Sequence, residues 1–544
     1  MMKKVRGNIV DIHSRSIFSG EIHIDGDTIK EVIHQDHDVN TFLLPGFIDA
    51  HVHIESSMLV PSEFSRLSLP HGTIATVSDP HEIANVLGVK GVEYMIQDAS
   101  SVPMKIFFGA PSCVPATPFE QAGATIGVDD IERLLQNPAI KYLAEMMNYP
   151  GVLHKDSEVI EKIRKAQNVG KPIDGHAPGL RGDAMRDYFN SGISTDHECL
   201  TLEEGLEKAQ AGVHILIREG SAAKNFNALI PILKSHPEQV MFCSDDKHPD
   251  DLVDGHINQI VTRALELGYD LFDVLRAACL NPILHYGLEV GTLRQGDKAD
   301  FIRITDLESF RVQEVVIDGK KVVEGGQVLF STSKPLMINN FKAQRCNEAD
   351  FRITRRKGAC KVIRAIDGEL ITESYKLDSP GEMPYILSDS QADVLKLVVL
   401  NRYYPTSPAL ALINGFGLKT GAIASSVAHD SHNIIAVGTD DRMIAECVNL
   451  IVDNKGGIAA VSSDERHILP LPVAGIMTVE DGHKVANNYA RIEHFVKSGL
   501  GSKLTAPFMT LSFMALLVIP KLKLSDQGLF DGSAFKFTTL FDSD

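Results

Sequence analysis

Two histidines stand two residues apart at the end of an apolar run in PGFIDAHVHIESS (45–57): His51 and His53. In a strand, side chains at i and i+2 share a face, so these imidazoles would stand side by side and could grip one metal ion. Paired histidines also pack as ordinary core residues bonded to backbone, so the rest of the chain has to decide. Other apolar runs end in Asp79, Glu145, His176, His197 and Asp245. Imidazoles and carboxylates suit first-row divalent ions such as Zn, Fe or Mn. Four histidines plus carboxylates exceed what one tetrahedral ion needs. Two ions bridged by a carboxylate and a hydroxide use that surplus, and a water held this way is acidified to near neutral pH and becomes a nucleophile. Packing alone has no reason to collect such groups at one end of successive strands, and burying them unpaired would be costly. Asp79 has a second reading, since Asp before Pro also starts turns.

Eight apolar runs must position these groups: 46–53, 73–79, 104–110, 139–145, 172–176, 193–197, 213–219 and 240–245. Helical patterns lie between several of them. One starts at Asp156 as N-cap and stops at Gly170; another starts at Asp270 and is expected to end at Asn281-Pro282. The fold class is therefore α/β, with a (β/α)8 TIM-type barrel over 46–289. That fold puts its active site at the C-terminal ends of the strands, where the histidines and carboxylates stand. The first 45 residues alternate, with a turn at Asp25-Gly26; the same texture returns in ADFIRI (299–304) and EVVIDGKK (314–321), with a turn at Asp318-Gly319. These pieces, 1–45 and 290–340, are expected to form one small discontinuous β-sandwich domain. Residues 345–544 read as a C-terminal α+β domain.

A chain of 544 residues is too long for one ordinary core. A net charge of -18 makes nucleic acid an unlikely partner, and the short basic stretch at 355–357 reads as solvated surface. The apolar stretch 513–519 is too short to span a bilayer, so no membrane is expected. The basic N-terminus lacks a following apolar core and does not read as a secretory signal. Seven scattered cysteines without a CxxC pair fit a reducing cytoplasm and argue against a disulfide framework or a thiolate zinc site.

PGFIDAHVHIESS, the later His176, His197 and Asp245, and NPILHYGLEVGTLRQGDKADFIRI (281–304) resemble the amidohydrolase superfamily. More narrowly, residues 56–88, YLAEMMNYPGV (142–152), DGHAPGL (174–180) and SVAHDSHNIIAVGTDD (426–441) look like the bacterial adenine deaminase family. The resemblance runs over nearly the whole chain. It implies hydrolytic deamination of adenine to hypoxanthine and ammonia at a binuclear Mn or Fe centre, with zinc possible, and His51, His53, His176 and His197 as ligands. It implies a homodimer or larger assembly. Many binuclear amidohydrolases bridge their metals with a carboxylated lysine from strand four; here Glu145 stands in that place. Mononuclear deaminases of the superfamily often show HxxE after the strand-five histidine, whereas this chain has His176 followed by Ala-Pro-Gly.

The chemistry then expected is attack of a bridging hydroxide on C6 of the purine, with Asp245 accepting its proton and passing it toward the leaving amine. Glu219, at the end of strand seven, is the candidate for protonating N1; an ion pair with Arg218 is its other reading. Ser112, His81, Arg218, Asp246 and His429 are candidates for lining the substrate pocket. Asp246 ranks below Asp245, because a continuing strand would point it the other way. A turn-stabilising role is the other reading of His429 and His432. His53-x-Glu55 matches half of the zinc nucleoside deaminase signature, but the chain has no PCxxC. Two rivals remain: a cyclic amide hydrolase on the same barrel, and a metal-binding scaffold without turnover.

Overall fold

The computed structural model describes residues 2–332, 334–378 and 383–542. Each of the eight apolar runs carries a strand: Phe47–Val52, Thr73–Ser78, Lys105–Ala110, Ile140–Met146, Ile173–Gly175, Thr195–Asp196, His214–Arg218 and Val240–Cys243. The first five pair in parallel, in chain order, in one sheet; the last three do the same in a second sheet. Hydrogen bonds cross both gaps between the sheets. Ser194 N–H donates to the Ile173 carbonyl at 2.9 Å; at the other gap Asp245 N–H donates to the His51 carbonyl at 2.9 Å. Most of these strands are buried along their whole length, as parallel strands covered by helices must be.

The helices follow local rules, with one departure. Ser157–Asn168 begins where the Asp156 carboxylate accepts the Glu158 and Val159 N–H groups, and Gly170 follows it at φ 66°. The helix that starts at Asp270 does not end at Asn281-Pro282. It widens into a π turn at Arg276–Leu280 and resumes as Asn281–Tyr286. Proline has no N–H to place and fits the first turn of a helical segment. Asn281 meanwhile uses its side-chain amide on the Pro237 and Val240 carbonyls, at 2.8 and 2.7 Å. The stop comes at Gly287, φ 61°.

Two buried polar ties fix the strand ends that matter. Asp49, fully buried, accepts the Ser244 N–H at 2.9 Å and faces His256 Nε2 at 2.8 Å, joining strand one to strand eight. Lys208, also fully buried, donates to Asp196 and Glu204 at 2.6 Å each and to the Ala177 carbonyl at 2.8 Å. That ammonium ties the segment after His176 to the strand before His197.

The two terminal segments around this core share one eight-stranded sheet, in which Phe42–Leu44 lies between Lys3–Asp11 and Phe301–Ile304. Both expected Asp-Gly turns are present, Asp318 and Gly319 at φ 47° and 70° and Gly26 at φ 64°. Where two facing sheets were expected, one continuous sheet encloses its own core of Ile9, Ile22, Ile24, Leu43 and Phe301. A continuous ladder leaves fewer unpaired edges than two short sheets would. The C-terminal part carries a second eight-stranded sheet with the helices Asp441–Asn454, Gly482–Ser498 and Pro507–Phe513. It is joined to the parallel strands by backbone bonds such as Thr478 N–H to Met58 O, 2.8 Å. Among the described residues no helix is long and apolar enough to cross a membrane.

Lys208→Met should leave Asp196 and Glu204 buried without their cation. A loss of about 3–5 kcal/mol is expected in denaturant unfolding; a loss below about 1 kcal/mol would show that this tie does not hold the strand ends.

Candidate metal centre and active site

His51 and His53 leave strand one on the same face, as the i, i+2 rule requires. Their Nε2 atoms lie 3.2 Å apart. His53 Nδ1 donates to the Asp79 carbonyl at 3.1 Å, so a neutral His53 carries its lone pair on Nε2, aimed at the cluster. Glu145, at the end of strand four, divides its carboxylate. Oε1 lies 3.4 Å from His53 Nε2 and 4.0 Å from His51 Nε2; Oε2 lies 2.7 Å from His176 Nδ1 and 3.3 Å from His197 Nε2. One buried carboxylate thus stands between two pairs of imidazoles. Burial alone would push its pKa up; the His176 and His197 rings overcome this and hold the Glu145 carboxyl well below the ordinary carboxylate range.

Asp245 closes the other side, with Oδ1 at 3.2 Å from His53 Nε2 and 3.7 Å from His51 Nε2. Its backbone is left-handed, φ 54°, a conformation that costs an L residue about 1 kcal/mol and that Asp tolerates better than most. Arg218, 2% exposed, donates to Asp245 Oδ2 at 2.7 Å and grips both oxygens of Glu198. Burial works against the charge on Asp245, and the guanidinium overcomes it, holding this carboxyl well below the usual range. Asp245 is therefore anionic, with one oxygen committed to Arg218 and the other facing the imidazoles.

The structure brings together His51, His53, Glu145, His176, His197 and Asp245, and sets Asp79 and His81 beside them: His81 Nδ1 lies 3.2 Å from Asp79 Oδ2 and 3.5 Å from Glu145 Oε1. Arg218, Asp246, His81 and His429 line the cavity over the cluster. Asp246 faces the site despite its parity, because the strand ends at Cys243 and the left-handed turn at Asp245 breaks the alternation. Two candidates are elsewhere. Glu219 follows inward-facing Arg218 and so points out of the cluster, to Arg263 at 2.9 Å. Ser112 sits behind strand four, where its hydroxyl donates to the Glu145 carbonyl at 2.5 Å. The turn expected at Asp79-Pro80 is also present: Oδ1 accepts the His81 N–H at 3.1 Å. Sequence reading missed Glu198, Glu82 and Asp430. Glu198 and Glu82 each adjoin a histidine already singled out, in TDHE and DPHE. Only tertiary contact brings Glu82 to His429, 2.5 Å away, and to His432.

This donor set fits divalent metal. Groups such as His51, His53 and Asp245, or His51, Glu145 and His197, hold their ligand atoms within 4.8 Å of one another, all buried. Nitrogen and oxygen donors without sulfur suit Mn, Fe or Zn. The close Nε2 atoms of His51 and His53 need a shared cation or proton to be stable side by side, and Asp245 and Glu145 supply compensating charge.

Comparison with known proteins gives the family. A family model described as "Amidohydrolase family" matches residues 42–322, and one described as "Adenine deaminase C-terminal domain" matches residues 369–536. The chain is 54% identical over 534 residues to the adenine deaminase of Sulfurovum sp. (strain NBC37-1), covering 98% of this chain and 99% of that one. It is 52% identical over 538 residues to the adenine deaminase of Salinibacter ruber, covering 99% and 98%. Among solved structures, a beta-aspartyl dipeptidase from Fervidobacterium islandicum AW-1 aligns over 61% of this chain and all of its own, at 17% identity and a TM-score of 0.47.

Glu145→Ala should reduce the metal bound per chain, read by elemental analysis of protein refilled with Mn(II) after chelation. Unchanged metal content would exclude Glu145 as the group shared between the two histidine pairs.

Proposed function

This chain belongs to the adenine deaminase family, and from that premise we propose that it hydrolyses adenine to hypoxanthine and ammonia at the cluster around Glu145. The observation that carries the reading is the single carboxylate set between two imidazole pairs. In this reading His51, His53, Glu145, His176, His197 and Asp245 hold two divalent ions, Mn or Fe, with Asp79 beside them. When bound, the metal supplies an acidified water as nucleophile.

The chain's own residues do the rest. Arg218 fixes Asp245 through Oδ2, which leaves Oδ1 to take the proton of the water and return it to the departing amine. Glu198 holds Arg218 in that position through both guanidinium ends, so the base cannot rotate away. Glu219 takes no part, since Arg263 engages it; the purine nitrogens face His81, Glu82, Asp246 and His429 instead. Helix Pro507–Phe513 and the segment carrying His429 cover the site and exclude bulk water, which strengthens each of these charge contacts.

The same reading takes the two parallel sheets as one closed (β/α)8 barrel over 46–289, flanked by the discontinuous β-domain of 1–45 and 290–340 and by the domain of 345–544. It takes the protein as a homodimer or larger assembly in a reducing cytoplasm, in keeping with seven free thiols. A cyclic amide hydrolase is the poorer reading, because strand four ends in Glu145 and not in a lysine.

The test is ammonia release from adenine by protein loaded with Mn(II), with adenosine, cytosine and dihydroorotate as controls and metal measured in parallel. Adenine turnover with two metals per chain is expected; turnover of dihydroorotate alone would replace the substrate. Asp245→Asn should lower kcat by about 10²–10⁴-fold, and a near-normal kcat would remove Asp245 as the base.

A further inference from the structure

The cavity over the cluster has two unlike sides. One side is the charged set already described. The other is apolar: Met147, Leu370, Phe513 and Leu516. Three of these four come from the C-terminal part of the chain, and two of the three are anchored by a single buried amino group. Lys523, fully buried on strand Leu522–Ser525, donates to the Leu370 carbonyl at 2.6 Å and to the Phe513 carbonyl at 2.9 Å. Leu370 lies in the turn between strands Cys360–Ala365 and Thr372–Leu377. One amino group therefore locks the tip of a hairpin to the end of helix Pro507–Phe513, and both present side chains to the cavity.

Leu370 also borders a second, larger cavity between the parallel strands and the C-terminal part. That cavity is many times the larger of the two. Arg218, Glu198 and Leu370 are common to both. Arg218 and Glu198 are held by their own ion pair, which leaves Leu370, 9% exposed and aliphatic, as the partition that a substitution can open.

A purine that presents C6 to the cluster points N9, on the far side of its fused rings, away from it. A bare base carries only a hydrogen or lone pair at N9, whereas a nucleoside carries a sugar there. We propose that Leu370, held by Lys523, is a specificity-determining residue: it closes the reaction cavity behind the ring of a free base and excludes purines substituted at N9. Phe513 and Leu516 supply the apolar surface on which the ring lies, and the larger cavity behind Leu370 is the space an N9 substituent would need. A steric wall of this kind discriminates through what it rejects. The inference rests on the adenine deaminase reading of the same site.

The experiment compares kcat/KM for adenine and adenosine in the Mn-loaded, full-length protein and in Leu370→Ala, with Leu370→Val as the milder variant should the first not fold. Leu370→Ala should raise the adenosine-to-adenine ratio at least tenfold, and Leu370→Val at least threefold. A smaller rise, in an unaltered protein that does turn over adenine, would overturn the wall and leave the deaminase reading standing. No adenine turnover by the unaltered protein would overturn both. Lys523→Met should move the ratio in the same direction as Leu370→Ala, with KM for adenine rising more than kcat falls; an unchanged ratio in a folded Lys523→Met protein would remove Lys523 as the positioning residue.

Discussion

Glu145 is a buried carboxylate with five imidazoles within about 4 Å, and such a group is expensive unless its charge is compensated. Everything around it serves that compensation. The histidines supply donor and ligand atoms, Asp245 adds a second carboxylate, and Arg218 adds the cation that keeps Asp245 ionised. A divalent metal centre completes the balance of charge, and this is the physical reason the cluster cannot be explained as ordinary core packing. Remove the carboxylate and the remaining groups are imidazoles crowded against one another with no common partner.

Holding six side chains from the ends of five strands to such tolerance requires rigid strand ends, and buried polar ties provide it. Asp49 spans strands one and eight, and Lys208 spans the ends of strands five and six. Asn225 links the ends of strands six and seven: its amide N–H donates to the His197 carbonyl at 3.1 Å and its oxygen accepts the Arg218 N–H at 2.8 Å. Each tie is fully hydrogen-bonded at the atoms it uses, so it fixes geometry without leaving unpaired charge. Farther out, the buried Lys523 amino group donates to two backbone carbonyls and fastens the apolar face over the site.

The C-terminal part is more than an appendage to this arrangement. His429 and His432 clasp Glu82, a residue of the helix that follows strand two. The parallel strands bring the charges, and the C-terminal part brings most of the apolar side and the cover. A turn-stabilising role alone does not describe the HDSH segment, since its rings reach across to another unit of the fold.

The strands, their order and the imidazoles and carboxylates at their ends are legible in the sequence. Apolar runs ending in His, Asp or Glu are a local pattern, and strand periodicity is enough to put His51 and His53 on one face. Asp-Gly turns and the Asp156 cap are equally local and equally legible. Tertiary structure decided what periodicity does not encode. Glu219 was misjudged because the inward position on its strand belongs to Arg218, a parity set by how the strand is seated among its neighbours. Asp246, a pocket candidate ranked below Asp245 on strand parity, reaches the cavity because the strand stops at Cys243 and a left-handed residue at 245 cancels the alternation. Glu82, Glu198, Leu370 and Lys523 carry no motif, for their meaning lies in contacts between segments far apart in the chain. Local chemistry names the ligands, and only the packing of distant segments fixes which neighbours orient them and what shape of substrate they admit.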